Sequence, residues 1–126
     1  MKRLIKVLLI DDDKKIQKLI KAILKNDKFD LKIYSNANNI IKKIKMCKPD
    51  IVLLNIKLYG TSGVDAIKKI KSTEELKDIP IIAFTSYTMK GDRERFLKMG
   101  FDDYIPKPID TRNFAQQINI LLNKVE

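Results

Sequence analysis

The chain has 126 residues, 44% hydrophobic and 33% charged, with a formal net charge of +10 and no histidine. That length suits one compact domain, residues 1–126, able to bury about two-thirds of its unfolded surface, in a composition that is globular rather than disordered. A single cysteine, Cys47, excludes a disulfide framework; the lack of histidine excludes imidazole bases, Ser-His-Asp triads and most zinc sites; and no apolar run reaches the roughly 20 residues of a membrane span.

The elements alternate between two periods. Arg3 to Ile10, "RLIKVLLI", is a β-type run, and three aspartates follow it. The basic start and short apolar run mimic a secretory signal, but no small-residue cleavage site appears, so a first strand and a cytoplasmic location are expected. Ile16, Leu19, Ile20, Ile23 and Leu24 then recur at i, i+3, i+4, i+7 and i+8, one stripe of an amphipathic helix, with Asp13 placed to cap it. Phe29 to Ser35 alternates as a second strand. Asn36 or Asn38 is placed to cap a second helix carrying Ile40, Ile41 and Ile44, and Cys47 near its end reads as a small half-buried apolar residue. "PDIVLLN" is a third strand, apolar on both faces, as in the centre of a parallel sheet. A third helix carries Val64, Ile67 and Ile70. Ile79 to Ser86 is a fourth strand, with Pro80 near its start. A fourth helix runs from about Lys90 to Met99 and ends at Gly100. "FDDYIPKP" holds a short fifth strand, and Thr111 is placed to cap a last helix with Phe114, Ile118, Leu121 and Leu122 inward.

Five strand–helix pairs in alternation imply an α/β fold, a doubly wound five-stranded parallel sheet with right-handed crossovers. Ligands bind beyond the carboxyl ends of such strands, near the point where strand order reverses. Asp11, Asp12 and Asp13 end the first strand, Asn55 the third, Thr85 and Ser86 the fourth, and Lys107, just before Pro108, the fifth. Adjacent carboxylates suit a hard cation such as Mg²⁺, and a lysine with a hydroxyl suits a phosphoryl group. "DDD" alone is an ordinary cap and turn. The constellation is informative because four strands each deliver a polar residue at the same end.

The motifs "LLIDDD", "PDIVLLN" and "IIAFTSYTMKGDRERFLKMGFDDYIPKPID" lie in the order found in receiver domains of bacterial response regulators, the phosphoacceptor half of two-component signalling. The chain resembles that family over about 120 residues, the last stretch being closest to stand-alone receivers and receivers of hybrid kinases. The resemblance implies the flavodoxin-like (βα)5 receiver fold. It implies that Asp11 and Asp12 hold Mg²⁺, that Thr85 contacts the phosphoryl group and signals it, that Tyr104 is the aromatic switch, and that Lys107 is the site lysine, before a Lys107–Pro108 bond often cis in the family. Asn55 matches the aspartate that accepts phosphoryl from a kinase histidine.

That match is also a departure. The family reaction needs a carboxylate nucleophile, and a neutral amide oxygen is far weaker, so Asn55 is not expected to form an acyl phosphate. With asparagine among the metal ligands, Mg²⁺ binding is expected to be weak or absent. Tyr59 stands where the family usually has proline, and two departures in one loop favour a naturally degenerate receiver over an engineered Asp→Asn form. In the bland reading Asn55 satisfies the acidic pair, donating to Asp12 or Thr85 and accepting from Lys107 or a backbone amide.

Three functions compete. The first is a phosphorylation-deficient single-domain receiver that binds a histidine kinase, a phosphotransfer domain or a downstream protein. Its surface would be the fourth helix, fifth strand and fifth helix, including Lys90, Arg93, Lys98, Tyr104 and Arg112. The second is a conventional Mg²⁺-dependent phosphoacceptor with Asp→Asn substituted at 55. The third, a basic nucleic-acid binder, rests on charge alone, without a helix-turn-helix or a stacking platform. The lysines alternate with isoleucines as on solvated helix faces. "GTSG", Gly60 to Gly63, lacks phosphate-loop spacing, and no independent enzyme is expected.

Overall fold

The computed structural model describes residues 4–25, 28–56, 63–85 and 92–125. Five strands and five helices alternate: β1 Ile5–Ile10, α1 Lys14–Ile23, β2 Phe29–Tyr34, α2 Ile40–Cys47, β3 Ile51–Asn55, α3 Gly63–Lys71, β4 Ile81–Thr85, α4 Asp92–Met99, β5 Asp103–Pro106 and α5 Phe114–Val125. All four strand pairings are parallel, in the order β2-β1-β3-β4-β5.

Side chains alternate across each strand, and the two resulting rows build two cores. Leu8, Ile10, Val52, Leu54, Ile81 and Ala83 pack against α2, α3 and α4 through residues such as Ile44, Ile67 and Phe96. Val7, Leu9, Ile51, Leu53, Ile82 and Phe84 pack against α1 and α5 through Ile20, Leu24, Phe114 and Ile118. The sheet is thus doubly wound, and β3 and β4 are buried at every position. The α1 stripe is graded: Ile20 and Leu24 are buried, while Ile16, Leu19 and Ile23 pack at its margin. Lys14, Lys15, Lys18 and Lys21 on α1 and Lys25 just after it are exposed, as are Lys42 and Lys45 on α2 and its C-cap Lys48.

Two helix ends follow the sequence and two depart from it. The Asp13 carboxylate accepts from the Lys15 amide at 2.9 Å and caps α1. Gly100 ends α4 with φ of 113°, and the Phe101 amide reaches back to the Phe96 carbonyl at 3.1 Å; only glycine adopts that backbone cheaply. For α2, neither Asn36 nor Asn38 is the cap. That position is Asn39, left-handed at φ 55°, and Asn36 instead accepts from the Asn38 amide in a turn one step earlier. Helix α5 begins at Phe114, beyond reach of a Thr111 cap; Asp110 organises the approach by accepting from the Arg112 amide and Asn113 Nδ2. The strands are also shorter than expected at their ends: β2 stops at Tyr34, β4 spans Ile81–Thr85 and β5 spans Asp103–Pro106. Arg3, Ser86 and Lys90 lie outside the described residues.

Candidate functional site at the carboxyl ends of the strands

From β1 the chain passes outward to β2, then returns past β1 to β3 and continues to β5. Strand order therefore reverses between β1 and β3, and Asp11 and Asn55 end those two strands. Asp11 is fully buried and Asn55 is 8% exposed. A buried carboxylate needs compensation, and Asp11 receives it from three donors. Lys107 Nζ donates to Oδ2 at 2.7 Å; Asn55 Nδ2 donates to Oδ1 at 3.3 Å; the Asp13 amide donates to the same Oδ1 at 2.9 Å. The Lys107 side chain is only 13% exposed. Its ammonium also lies 4.8 Å from the centre of the Phe84 ring, and its backbone amide donates to the Thr85 carbonyl at 2.7 Å. The Lys107–Pro108 bond is cis.

Alternation divides the remaining residues between two faces. Asn55 follows Ile51 and Leu53, so it points to the α1–α5 side. Thr85 follows Ile81 and Ala83, so it points to the α2–α3–α4 side, and it is 2% exposed. Tyr104, paired in register with Ala83, lies on that same side. It is half-buried, with its ring centre 5.7 Å from that of Phe96 on α4. Beside it, buried Asp103 accepts from the Tyr104 amide at 2.8 Å and from Arg93 Nε at 3.3 Å. Of the surface residues singled out from sequence, Arg93 is therefore tied to β5, while Lys98 and Arg112 are exposed.

The structure brings Asp11, Asn55 and Lys107 into one hydrogen-bonded group, with Asp12 following Asp11 in the chain. Tyr59 and Ser86 lie outside the described residues. Two contributors carried no clear sequence signal. Gln17 Nε2 donates to the Asp11 carbonyl at 2.6 Å and to Ser35 Oγ at 3.0 Å, fixing the turn after β1 to α1. Gly63 opens α3 hard against β3: a Cβ there would lie 2.6 Å from the Asn55 carbonyl oxygen and 2.7 Å from Ile56 Cα. Its amide donates to the Ile56 carbonyl at 2.8 Å. The glycine is visible in sequence, but the close approach that requires it is not.

The donor set of Asp11, Asp12 and the Asn55 amide oxygen is hard and all-oxygen, as Mg²⁺ prefers, so the residue types fit such an ion. Both Asp11 oxygens already accept hydrogen bonds, however, so an ion would compete with Lys107 and Asn55 for them. Among the described residues no group of three or more His, Cys, Asp or Glu side chains gathers to hold a metal. Elsewhere, burial, reinforced by Asp30, raises the Cys47 thiol above its ordinary pKa, and burial lowers that of Lys43. No helix among the described residues is long and apolar enough to cross a membrane.

Comparison with known proteins gives consistent results. The family model for the response regulator receiver domain matches residues 7–119. The chain is 31% identical over 116 residues to the polar-differentiation response regulator DivK of Brucella anthropi, covering 92% of this chain and 94% of that protein. It is 37% identical over 126 residues to hybrid signal transduction histidine kinase I of Dictyostelium discoideum, but spans only 7% of that protein's length. Among solved structures, a response regulator from Chloroflexus aurantiacus superposes with a TM-score of 0.86 at 18% identity, covering 96% of this chain and 99% of that one. The receiver domain of sensor histidine kinase PA1611 from Pseudomonas aeruginosa, solved with a magnesium ion in its active site cleft, superposes with a TM-score of 0.80 at 26% identity. There the coverage is 98% of both chains.

Proposed function

The chain belongs to the response regulator receiver domain family, and on that premise we propose that it is a phosphorylation-deficient receiver of a two-component system. In this reading residues 1–126 act as a stand-alone cytoplasmic module. Asn55 occupies the phosphoacceptor position, and the protein works by binding. The observation that carries this is the Asn55 side chain, whose Nδ2 donates to Asp11 Oδ1 at 3.3 Å. A phosphoacceptor carboxylate has no hydrogen to donate there. The amide is a poor nucleophile, and here it complements the acid beside it.

Thr85 and Lys107 take the phosphoryl-contacting positions, Thr85 and Tyr104 the switch positions, and Asp11, Asp12 and Asn55 those that would hold Mg²⁺. A bound ion would neutralise phosphoryl oxygens during transfer. Asp11 and Asp12 offer a formal −2, where a third carboxylate would give −3, and Lys107 offsets one more unit. Affinity for a hard cation follows ligand charge, so Mg²⁺ binds weakly or not at all. Partners are a histidine kinase, a phosphotransfer domain or a downstream protein, met on the α4–β5–α5 face without regard to phosphorylation. Exposed Leu97 on α4 and Ile120 on α5 offer apolar anchors on those helices.

A second reading is favoured by how much of the site is in place. Asp11, Thr85 and Lys107 keep the residue types that the family's reaction uses, and Lys107 bonds Asp11 at 2.7 Å, which suits a conventional Mg²⁺-dependent phosphoacceptor in which Asn55 stands for an original aspartate. Intact mass spectrometry after incubation with a small-molecule phosphodonor and Mg²⁺, beside Asn55→Asp, tests both. Phosphorylation of the variant alone means that residue 55 silences a competent site. Phosphorylation of neither protein leaves a module that acts by binding only. Phosphorylation of the unaltered chain overturns the proposal.

A further inference from the structure

Strand β2 is the end of the sheet, and its register fixes which backbone groups face outward. The Ile5 amide bonds the Lys28 carbonyl at 2.9 Å and the Asp11 amide bonds the Tyr34 carbonyl at 3.1 Å, at the two ends of the β1–β2 ladder. In a parallel ladder the residues of one strand alternate between bonding to one neighbour and to the other. Residues 28, 30, 32 and 34 therefore turn their amide groups to β1, while Phe29, Leu31 and Ile33 turn theirs away from the sheet. Phe29 is buried, so the accessible outer ladder is that of Leu31 and Ile33, both half-buried.

This edge has a cavity on each of its faces. On the α1 side, one of about 630 Å³ has Ala22, Leu24, Phe29 and Leu31 as its apolar lining, with Lys18, Lys21 and Lys25 around them. On the α2 side, one of about 250 Å³ is lined by Lys6, Lys32, Tyr34 and Met46, with Asp30 as the single acid. Lys18, Lys21 and Lys25 are all exposed; Lys18 and Lys21 share one face of α1 at i and i+3, and Lys25 follows its C-cap. An added strand would send alternate side chains into these two cavities, with five lysines and one carboxylate among the described residues that line them.

We infer that the β2 edge is a docking site for an extended acidic segment of a partner protein, added as a sixth strand. Backbone bonds to Leu31 and Ile33 would supply the ladder. Small apolar side chains would enter the α1-side cavity, and the alternating carboxylates would meet Lys6 and Lys32 on the other face. Strand addition with pockets for alternate side chains is a general recognition mode. A second copy of this chain is a poor occupant, because antiparallel pairing would set Lys18, Lys21 and Lys25 against the same residues, and exposed lysines blunt edge-to-edge association.

The test uses a fluorescein-labelled peptide of alternating valine and glutamate, about nine residues long to match a strand, titrated by anisotropy at roughly 0.15 M salt. Saturable binding is expected, weakened by roughly tenfold or more in Leu31→Pro and in the double variant Lys6→Glu, Lys32→Glu. Leu31 turns its amide outward, so proline removes a donor to the peptide but no bond of the β1–β2 ladder. The same peptide N-methylated at alternate residues probes the ladder without altering the protein, and it too should lose affinity. Equal binding of the N-methylated peptide, or of polyglutamate, would reduce the effect to charge and overturn the inference. So would absence of binding, or sedimentation showing a dimer of the unaltered chain that Leu31→Pro dissolves.

Discussion

Asn55→Asp is the most informative perturbation, because it replaces a donor by a charge beside a buried carboxylate. The Asn55 Nδ2 to Asp11 Oδ1 separation is 3.3 Å. Two unit charges at about that distance, at an effective dielectric near 20, repel by about 5 kcal/mol. Lys107 already bonds Asp11 at 2.7 Å and can bridge both acids, and the new side chain can rotate away. We expect a net loss of about 2 kcal/mol, the scale of a hydrogen bond to a charged group turned into an unpaired contact. For a domain of this size that corresponds to a Tm lower by roughly 8 °C in chelator. The sign then inverts with metal. Three carboxylates form a better cation site, and Mg²⁺ at about 100 times its dissociation constant returns about 2.7 kcal/mol. Thermal and urea melts of both proteins, in chelator and in Mg²⁺, measure this directly. A variant as stable as the parent in chelator, or a parent stabilised by Mg²⁺ as strongly as the variant, would refute the view that Asn55 complements Asp11 in place of an ion.

Other substitutions probe the supports of the site. Lys107→Met should lower stability by about 3 kcal/mol in urea melts, because it strands a buried Asp11 carboxylate. Gly63→Ala should lose about 2 kcal/mol or more in the same assay, since its Cβ would meet backbone atoms at 2.6 and 2.7 Å that cannot step aside. Cys47 should alkylate more slowly than a free thiol near neutral pH. Burial raises its pKa, so the reactive thiolate is scarcer, and the rate should climb only as pH rises above the ordinary thiol range.

What the sequence disclosed follows from the range of the forces involved. The five strands were legible because β3 and β4 are buried on both faces and leave continuous apolar runs. Residues 11, 55, 85 and 107 were legible because polar residues end those runs. Helix caps were legible only where local geometry decides them, as at Asp13 and Gly100. At α2 and α5 the chain's path set the start: Asn39 holds the cap position of α2 without a side-chain cap bond, and Asp110 rather than Thr111 organises the approach to α5. The convergence of Lys107 and Asn55 on Asp11, the packing of Gly63 against β3 and the bridge from Gln17 to Ser35 depend on distances between elements. No spacing along the chain encodes those distances.

The bond between Lys107 and Asp11 joins residues 96 positions apart. Strand β5 is the outer strand on its side of the sheet and the last of the five to be synthesised, so Asp11 waits for Lys107 until the other four strands have been made. Contacts of such long range form late and slow the folding of parallel sheets. Until β5 docks, Asp11 lacks its bond to the Lys107 ammonium and keeps only its donors from earlier in the chain, Asn55 and the Asp13 amide. Closure of the carboxyl end is thus a late event, and its completion marks a chain that has folded through to β5. A truncation just before Lys107 would remove that ammonium together with Phe114, Ile118 and Leu121 from one core, so the partner of the acid at the first strand arrives only with the segment that closes that core.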